Sequence, residues 1–360
     1  MTTLDTQHSQ QRSSSADSLD NTVALVTGAT RGIGKGIAIA LAQAGATVYI
    51  TGRSLNQKTS QKTNQTASKK NDEEIATETT ETMAGSLAET QAIMDASAGT
   101  CIPCQVDHGD DEQVKQLFER IKTEQNGQLD LLVNNVYGGV RALRTHQGKP
   151  FWEAEASLWD ACNNVGLRSH YIASRLAAQL MVPQKKGLIV TISSWGGLSP
   201  IFGVAYGTGK SACDRLAAEM AAELKPNNVT SIALWPGIVG TEHISEFVEE
   251  VKAQNTSDAR MNMMSTRFNW ETPIFTGRVI VELLKEPNLI DLSGKLQIVA
   301  ELAARYGIVD EKGVRPASLR SLKFLLPAGL PRLQPYTQLI PDLRIPWWLL
   351  LLTALSAPKK

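Results

Sequence analysis

Two residues one helical turn apart, Tyr206 and Lys210, carry side chains suited to moving a proton. At positions i and i+4 of a helix they would project from the same face. A phenol is a weak acid at neutral pH, but a neighbouring ammonium group favours the phenolate and makes the phenol a usable acid or base. Because such pairs often occur by chance, this interpretation needs support from the rest of the chain.

A second candidate site is a glycine-rich loop, Thr27-Gly28-Ala29-Thr30-Arg31-Gly32-Ile33-Gly34, which follows a short apolar run and precedes a helical pattern. Its glycines permit a tight turn and a close approach of the backbone to a pyrophosphate. The N-terminus of the helix adds free N–H groups and positive dipole character. The loop therefore predicts a dinucleotide site with contacts from Gly28, Thr30, Arg31, Gly32, Ile33 and Gly34.

The residues that read the adenosine ribose favour one of the two nicotinamide dinucleotides. The predicted second strand ends in Thr51-Gly52-Arg53. An acidic residue at this point would accept from the ribose 2′-hydroxyl and favour NAD. Arg53, together with Arg31, instead offers guanidinium groups that match a 2′-phosphate. We predict NADP(H) as the cofactor; the alternative for either arginine is a solvated surface charge.

Alternating strands and helices would bring these loops together. Apolar or β-branched runs predict strands at 23–27, 47–51, 101–106, 129–133, 187–193, 229–235 and 296–299. Helical periodicity follows the glycine loop and recurs at 158–181, 206–224 and 273–285. Such alternation implies right-handed crossovers and a buried parallel sheet. The predicted fold class is α/β, a single doubly wound Rossmann domain with helices on both faces.

In combination, the motifs resemble the short-chain dehydrogenase/reductase family over most of residues 22–300. The glycine loop matches the family pattern TGxxxGxG, and Tyr206 with Lys210 matches YxxxK. Asn134-Asn135-Val136-Tyr137-Gly138 is similar to NNxG, and Pro236-Gly237-Ile238-Val239-Gly240-Thr241 is similar to PGxxxT. The runs NNVGLRSHY and LWPGIV resemble one branch of the family in particular.

The resemblance implies an NADPH-dependent oxidoreductase that reduces a ketone, aldehyde or quinone to an alcohol by hydride transfer. Tyr206 would donate and accept the proton, Lys210 would assist it and bind the nicotinamide ribose, and a serine would orient the carbonyl oxygen. Family spacing points to Ser193, whereas the strand-end pattern points to Ser194, which we favour. The other implied cofactor contacts are Asp107, Asn134, Pro236, Gly237, Val239 and Thr241, with a helix cap as the alternative for Asp107.

One residue of the family pattern is missing. The family carries an asparagine on its long helix that feeds a water-mediated proton relay, and Gly166 stands at that position in Gly166-Leu167-Arg168-Ser169. Asn163 and Asn164 are close but out of register. The alternative function is therefore a non-catalytic NADP-binding protein that acts through an insertion and a tail as a docking or membrane-associated module.

Composition limits the remaining classes. With 36 basic and 36 acidic residues the chain lacks the positive excess needed to bind a nucleic-acid backbone. The polar segment 1–21 predicts a disordered tail without a secretory signal, so we expect a reducing, cytoplasmic setting. The polar segment 54–82 predicts a flexible insertion, with a helix resuming near Met83. Cys101 and Cys104 have CxxC spacing but no partner pair, and the five His lack ligand spacing, so we predict no metal site.

Residues 301–360 would form a C-terminal extension beyond the catalytic domain at 22–300. Its apolar end, from Ile345 to Leu355, spans about a dozen residues, fewer than the ~20 that a membrane-spanning helix needs. Tryptophans at one edge and lysines at the other suit a membrane interface. The alternative is docking on the protein's own surface or on a partner subunit. The candidate partners are thus a small hydrophobic carbonyl substrate, a membrane surface and a second copy of the chain.

Overall fold

The computed structural model describes residues 18–56, 85–146, 149–253 and 266–355. Most of the predicted insertion, residues 57–82, lies outside these ranges, as do residues 1–17 of the predicted tail. Leu19, by contrast, is only 6% exposed, and its N–H donates to the carbonyl of Ala44 at 2.7 Å. The folded domain therefore begins before residue 22, and the predicted boundary after residue 21 is wrong by a few residues.

The described residues contain nine strands, and seven of them form one parallel sheet. In chain order the strands are β1 Val23–Val26, β2 Thr47–Gly52, β3 Thr100–Gln105, β4 Leu131–Asn134, β5 Gly187–Ile192, β6 Val229–Trp235, β7 Ile238–Val239, β8 Trp270–Glu271 and β9 Leu296–Ile298. The sheet order is β3-β2-β1-β4-β5-β6-β9, and β7 pairs separately with β8. The order reverses between β1 and β4, where doubly wound folds open their ligand crevice.

Helices cover both faces of the sheet. They are α1 Gly32–Gln43, α2 Leu87–Met94, α3 Asp111–Glu124, α4 Val140–Thr145, α5 Ala156–Asn163, α6 Ser169–Gln184, α7 Val204–Leu224, α8 Glu242–Ala253, α9 Pro273–Leu284, α10 Val299–Tyr306, α11 Leu322–Gly329 and α12 Trp347–Leu355. Alternate residues of β1 face opposite cores. Ala24 and Val26 pack with α1 and α9, whereas Val23 and Leu25 pack with α3 and α6. The predicted doubly wound Rossmann fold is confirmed.

The single helix predicted at 158–181 is wrong, because the backbone breaks between α5 and α6. Val165 (φ −107°, ψ 87°) and Gly166 (φ +150°) leave helical geometry there. A positive φ of this size favours glycine, which has no side chain to clash with the backbone. A Cβ on Gly166 would also lie 2.6 Å from Cδ2 of Tyr137. The glycine that departs from the family pattern is thus required locally.

The C-terminal extension is anchored on the Rossmann domain. Helix α10 buries Val299 and Leu302 in the core, so the predicted boundary at residue 300 falls inside a helix that belongs to the domain. The guanidinium of Arg320 donates to both carboxylate oxygens of Glu301 at 2.7 and 2.8 Å and lies 4.7 Å from the ring centroid of Trp347. Within the described ranges, no helix combines the length and apolar character that crossing a bilayer requires.

Candidate active site

The three side chains predicted to be catalytic come from the end of β5 and the first turns of α7. The hydroxyl oxygens of Ser194 and Tyr206 lie 2.9 Å apart. Ser194 also accepts from the N–H of Gly196 at 3.0 Å, which fixes its side chain at the strand end. The hydroxyl of Ser193 instead donates to the carbonyl of Lys210 at 3.0 Å. Of the two serines that the sequence left open, Ser194 is the one that faces the phenol.

Lys210 lies one turn after Tyr206 and is only 8% exposed. Its ammonium group donates to the carbonyl of Ile192 at 3.0 Å, which ties α7 to the end of β5. Gly209 permits the close approach of α5 to α7, because a Cβ there would lie 2.2 Å from Oδ1 of Asn163. The helix therefore presents Tyr206 and Lys210 together, as their spacing predicts.

Aromatic rings surround the phenol of Tyr206. The ring of Tyr137 meets it edge to face, with centroids 5.8 Å apart and an interplanar angle of 89°. Phe202 makes a similar contact from another side, with centroids 5.3 Å apart. Nζ of Lys210 lies 5.1 Å from the centroid of Tyr137 and 5.9 Å from that of Tyr206. The ring of Tyr206 is thus flanked by two aromatic rings and an ammonium group.

Burial shifts the pKa values of three other titratable groups near this cluster in the direction that favours the uncharged form. Burial lowers the pKa of His170 to about 3, and its Nε2 lies 3.0 Å from the carbonyl oxygen of Val136. Burial raises the pKa of Tyr137 far above its ordinary value. Burial also raises the pKa of Asp214 to about 6, and this side chain accepts from Nε1 of Trp235 at 2.9 Å. Tyr137 and His170 are therefore neutral at neutral pH and poorly suited to proton transfer.

The glycine loop is held against the end of β4 by the segment similar to NNxG. The side-chain oxygen of Thr27 accepts from the N–H groups of Asn135 and Val136 at 3.0 and 3.1 Å. The amide of Asn135 donates to the carbonyl of Gly28 at 3.0 Å. Gly28 has φ +71°, and a Cβ there would lie 2.8 Å from Cα of Val136. Only glycine fits this close approach without displacing the loop.

Asn134, a predicted cofactor contact, ends β4 in the centre of the sheet. It is fully buried, and its amide donates to Oγ of Ser174 at 2.8 Å. Its Oδ1 has no hydrogen-bond partner among the described residues. Asn134 thus joins β4 to α6 in the interior of the domain.

The N-terminus of α1 already holds an anionic group. The N–H of Gly32 donates to the carboxylate of Glu242 at 2.9 Å, and the side chain of Arg31 does not cap the helix. Thr30 is buried beside this turn, and Ile33 packs against the core. The free N–H groups and the dipole of a helix N-terminus stabilise negative charge. The donors here therefore fit the pyrophosphate of a dinucleotide.

A cleft of about 390 Å³ lies at the ends of β2 and β3. It is lined by Arg53, Gln105, Asp107 and Gln113. The amide of Gln105 donates to the carbonyl of Arg53 at 2.9 Å, and Asp107 accepts from the N–H of Gly109 at 2.9 Å. The N-cap of α3 is Asp110, so the alternative role of Asp107 as that cap is wrong. The structure brings Arg53 and Asp107 to one cleft, as an adenosine site requires.

The loop after β6 carries the remaining predicted cofactor contacts, Pro236, Gly237, Val239 and Thr241. A Cβ on Gly237 would lie 2.6 Å from Oε1 of Glu271, and the N–H of Gly240 donates to the backbone carbonyl of Glu271 at 2.9 Å. Glu271 is buried, which raises its pKa to about 8. Sequence reasoning missed this carboxyl group, because only the pairing of β7 with β8 brings it to the loop.

Comparison with known proteins agrees with the geometry. A family model described as short chain dehydrogenase matches residues 22–81 and 72–252. Dehydrogenase/reductase SDR family member 1 of Mus musculus is 42% identical over 332 residues, 92% of this chain and 96% of the relative. The Homo sapiens protein of that name is 41% identical over 338 residues, 93% of this chain and 97% of the relative. The family and the branch indicated by the motifs are confirmed.

Solved structures share the fold. One of them is a Beutenbergia cavernae protein assigned as an NAD(P)-dependent gluconate 5-dehydrogenase, with bound NADP. It superposes with a TM-score of 0.59 at 25% identity and covers 79% of this chain and 97% of its own. The part of this chain beyond the match is consistent with additions to a common Rossmann core.

Proposed function

Since the chain belongs to the short-chain dehydrogenase/reductase family of oxidoreductases, we propose that it reduces the carbonyl group of a small apolar substrate with NADPH. The observation that carries the proposal is the 2.9 Å contact between the hydroxyls of Ser194 and Tyr206, next to the buried Lys210. Two hydroxyls this close can both reach one substrate oxygen, and a neighbouring cation favours the release of a phenol proton.

Each side chain has a distinct role in the proposed reaction. Bound NADPH supplies the hydride. Ser194 donates a hydrogen bond to the carbonyl oxygen, and Tyr206 gives its proton to that oxygen as negative charge develops. Lys210 stabilises the phenolate that remains. The carbonyl of Ile192 keeps the ammonium group in place through their 3.0 Å hydrogen bond.

The choice of NADP(H) rests on the adenosine end of the groove. Arg53 stands where an acidic residue would favour NAD, and it lines a cleft with Gln105 and Asp107. Arg31, at the N-terminus of α1, adds a second positive charge at the glycine loop. The B. cavernae neighbour, which carries NADP, supports the same preference.

The substrate is proposed to be hydrophobic. Tyr137 and Phe202 meet the Tyr206 ring edge-on, and Trp195 follows directly after Ser194. Pockets walled by aromatic side chains with few polar groups suit apolar ligands, whose orientation those few groups fix. Ketones, aldehydes and quinones with apolar substituents are the compounds to test.

The test follows NADPH oxidation with a panel of such carbonyl compounds. Wild-type protein should turn over at least one of them, and Tyr206→Phe should lower kcat by about 10²- to 10⁴-fold with NADPH affinity close to wild type. Tyr171→Phe is the matched control, because Tyr171 is 52% exposed on α6. Tight NADPH binding by a wild-type protein that reduces nothing would instead favour the non-catalytic alternative.

A further inference from the structure

Tyr137 fills the space beside the break between α5 and α6. The family pattern places an asparagine at the position of Gly166, and here the Cα of Gly166 faces the Tyr137 ring so closely that a Cβ would lie 2.6 Å from Cδ2. The hydroxyl of Tyr137 is buried next to Cys162. The ring, and not the hydroxyl, is the part of Tyr137 that lies against Gly166.

The same ring contacts both members of the Tyr206–Lys210 pair. Nζ of Lys210 lies 5.1 Å from the ring centroid, within the ~6 Å over which an aromatic face attracts a cation. Tyr206 meets the ring edge to face at 5.8 Å. Because Lys210 is almost fully removed from water, the attraction between the ammonium group and the ring is larger than it would be on an exposed surface.

Other groups also lie near the ammonium group of Lys210. The carbonyl of Ile192 accepts one of its three N–H donors. His170 on α6, uncharged through burial and the nearby Lys210, offers no negative charge. Asp214 on α7 accepts from Trp235 and also attracts the ammonium group of Lys210 electrostatically. Cys213 on the same helix donates to the carbonyl of Gly166 at 3.2 Å. Three groups thus contact Nζ: the Ile192 carbonyl, the Tyr137 ring and, at the greater centroid distance of 5.9 Å, the Tyr206 ring.

We propose that Tyr137 is a positioning residue, whose ring holds the Lys210 ammonium beside Tyr206 in place of the asparagine that Gly166 does not supply. The role of Lys210 in this inference rests on the proposed function, whereas the position of the Tyr137 ring beside the ammonium group rests on the observed contacts. Without the Tyr137 ring, the ammonium group would keep the Ile192 carbonyl but lose the nearer of its two aromatic contacts, so it would spend less time next to the phenol.

The experiment titrates the Tyr206 phenol by ultraviolet difference absorbance between each protein and its Tyr206→Phe counterpart. Three variants are compared: Tyr137→Phe, which keeps the ring; 3,4,5-trifluorophenylalanine at position 137, which keeps the shape but weakens the negative face; and Tyr137→Leu. Tyr137→Phe should titrate with wild type. The trifluoro variant and Tyr137→Leu should need a pH higher by about one unit to ionise Tyr206.

A second readout is the affinity for NADPH, which the nicotinamide ribose contact of Lys210 should serve. Both ring-weakened variants should bind NADPH about fivefold more weakly than Tyr137→Phe. Equal titration of Tyr137→Phe and the trifluoro variant would overturn the proposal, as would a lower melting temperature with no change in titration. Since the titration needs neither substrate nor turnover, a protein that reduces no carbonyl still tests Tyr137, whereas Tyr206→Phe kinetics test the reaction.

Discussion

Arg53 is the residue on which cofactor choice should depend. Its guanidinium can make charge-assisted hydrogen bonds to a 2′-phosphate, whereas an aspartate there would repel the phosphate and accept from a free 2′-hydroxyl. We expect Arg53→Asp to lower the ratio of kcat/KM for NADPH to kcat/KM for NADH by about 10- to 100-fold. Arg175→Asp, an equal charge change at an exposed arginine of α6, is the control. An unchanged ratio would show that Arg53 does not read the phosphate.

Glu271 should make the folded protein less stable as the pH rises. Its pKa rises from 4.5 to about 8 through burial, so between these values the folded chain holds a proton that the unfolded chain has lost. The free energy of unfolding must then fall with pH across this window. Glu271→Gln should match wild type below pH 4.5 and exceed its stability above pH 8 by roughly 5 kcal/mol.

Urea unfolding of both proteins at the two ends of that window measures the effect. Glu223→Gln removes a carboxylate from the exposed side of α7 and should show no such pH dependence. If the difference between Glu271→Gln and wild type is the same at both pH values, Glu271 does not carry a raised pKa.

The sequence predicted those site residues whose geometry is local. Tyr206 and Lys210 share a helix face because of their spacing. Ser194 follows the end of β5 and accepts from the N–H of Gly196, only two residues further along the chain. The packing of Tyr137 and of Glu271 could not be found this way. Their contacts with Lys210 and Gly237 join segments that are far apart in the chain, and no period or motif records such packing.

Among the elements, the buried strands were predictable and the helix break was not. A strand covered on both faces is a continuous apolar run, so the predicted bounds of β6 agree with the structure and those of β5 differ by one residue at the end. The break at Gly166 depends on one positive φ and one close ring contact. Apolar periodicity continues through it, which is why the pattern indicated one helix.

The meeting of two helix N-termini, α1 and α8, gives the next prediction. Glu242 opens α8 and its carboxylate accepts from the N–H of Gly32, where the cofactor pyrophosphate should bind. Cofactor and carboxylate then compete for one donor. Glu242→Gln should therefore bind NADPH about fivefold more tightly, because the neutral amide competes less and does not repel the phosphates.

Fluorescence titration with NADPH checks this. Glu246→Gln, the same change one turn further along α8 at a carboxylate that lies 3.4 Å from Arg144, is the control and should leave the affinity unchanged. Equal affinity of Glu242→Gln and Glu246→Gln for NADPH would mean that the Glu242 carboxylate does not compete with NADPH for the N–H of Gly32.

Over the whole molecule, exposed apolar side chains are concentrated in the C-terminal extension. In the described part of the chain, nine of the nineteen exposed large apolar residues fall between Leu326 and Leu352. Residues 322–360 also carry five basic side chains and one acidic side chain, although the chain as a whole is neutral. Trp347 faces inward onto Trp235, with centroids 6.0 Å apart, while Trp348 is 64% exposed. One edge of α12 therefore docks on the domain and the other is open.

This open surface fits an anionic lipid interface better than a bilayer span. Helix α12 has nine residues and is about 14 Å long, so it can lie in the headgroup region with Trp348, Leu351 and Leu352 directed into it. We expect the protein to float with vesicles that contain phosphatidylglycerol and much less with pure phosphatidylcholine, because basic side chains add electrostatic attraction. Trp348→Ser/Leu352→Ser should abolish flotation.

The matched control removes equal apolar surface elsewhere. Phe151→Ser/Trp152→Ser changes two side chains that are 63% and 73% exposed on the catalytic domain, and it should float like wild type. Equal loss in both double variants would mean that general surface hydrophobicity drives binding. If the surface instead joins two copies of the chain, wild type will be a dimer by light scattering, Trp348→Ser/Leu352→Ser will be a monomer, and neither will float. A membrane contact is supported only if flotation requires both α12 and anionic lipid. The requirement for α12 reflects its apolar edge, and the requirement for anionic lipid reflects the positive charge of the extension.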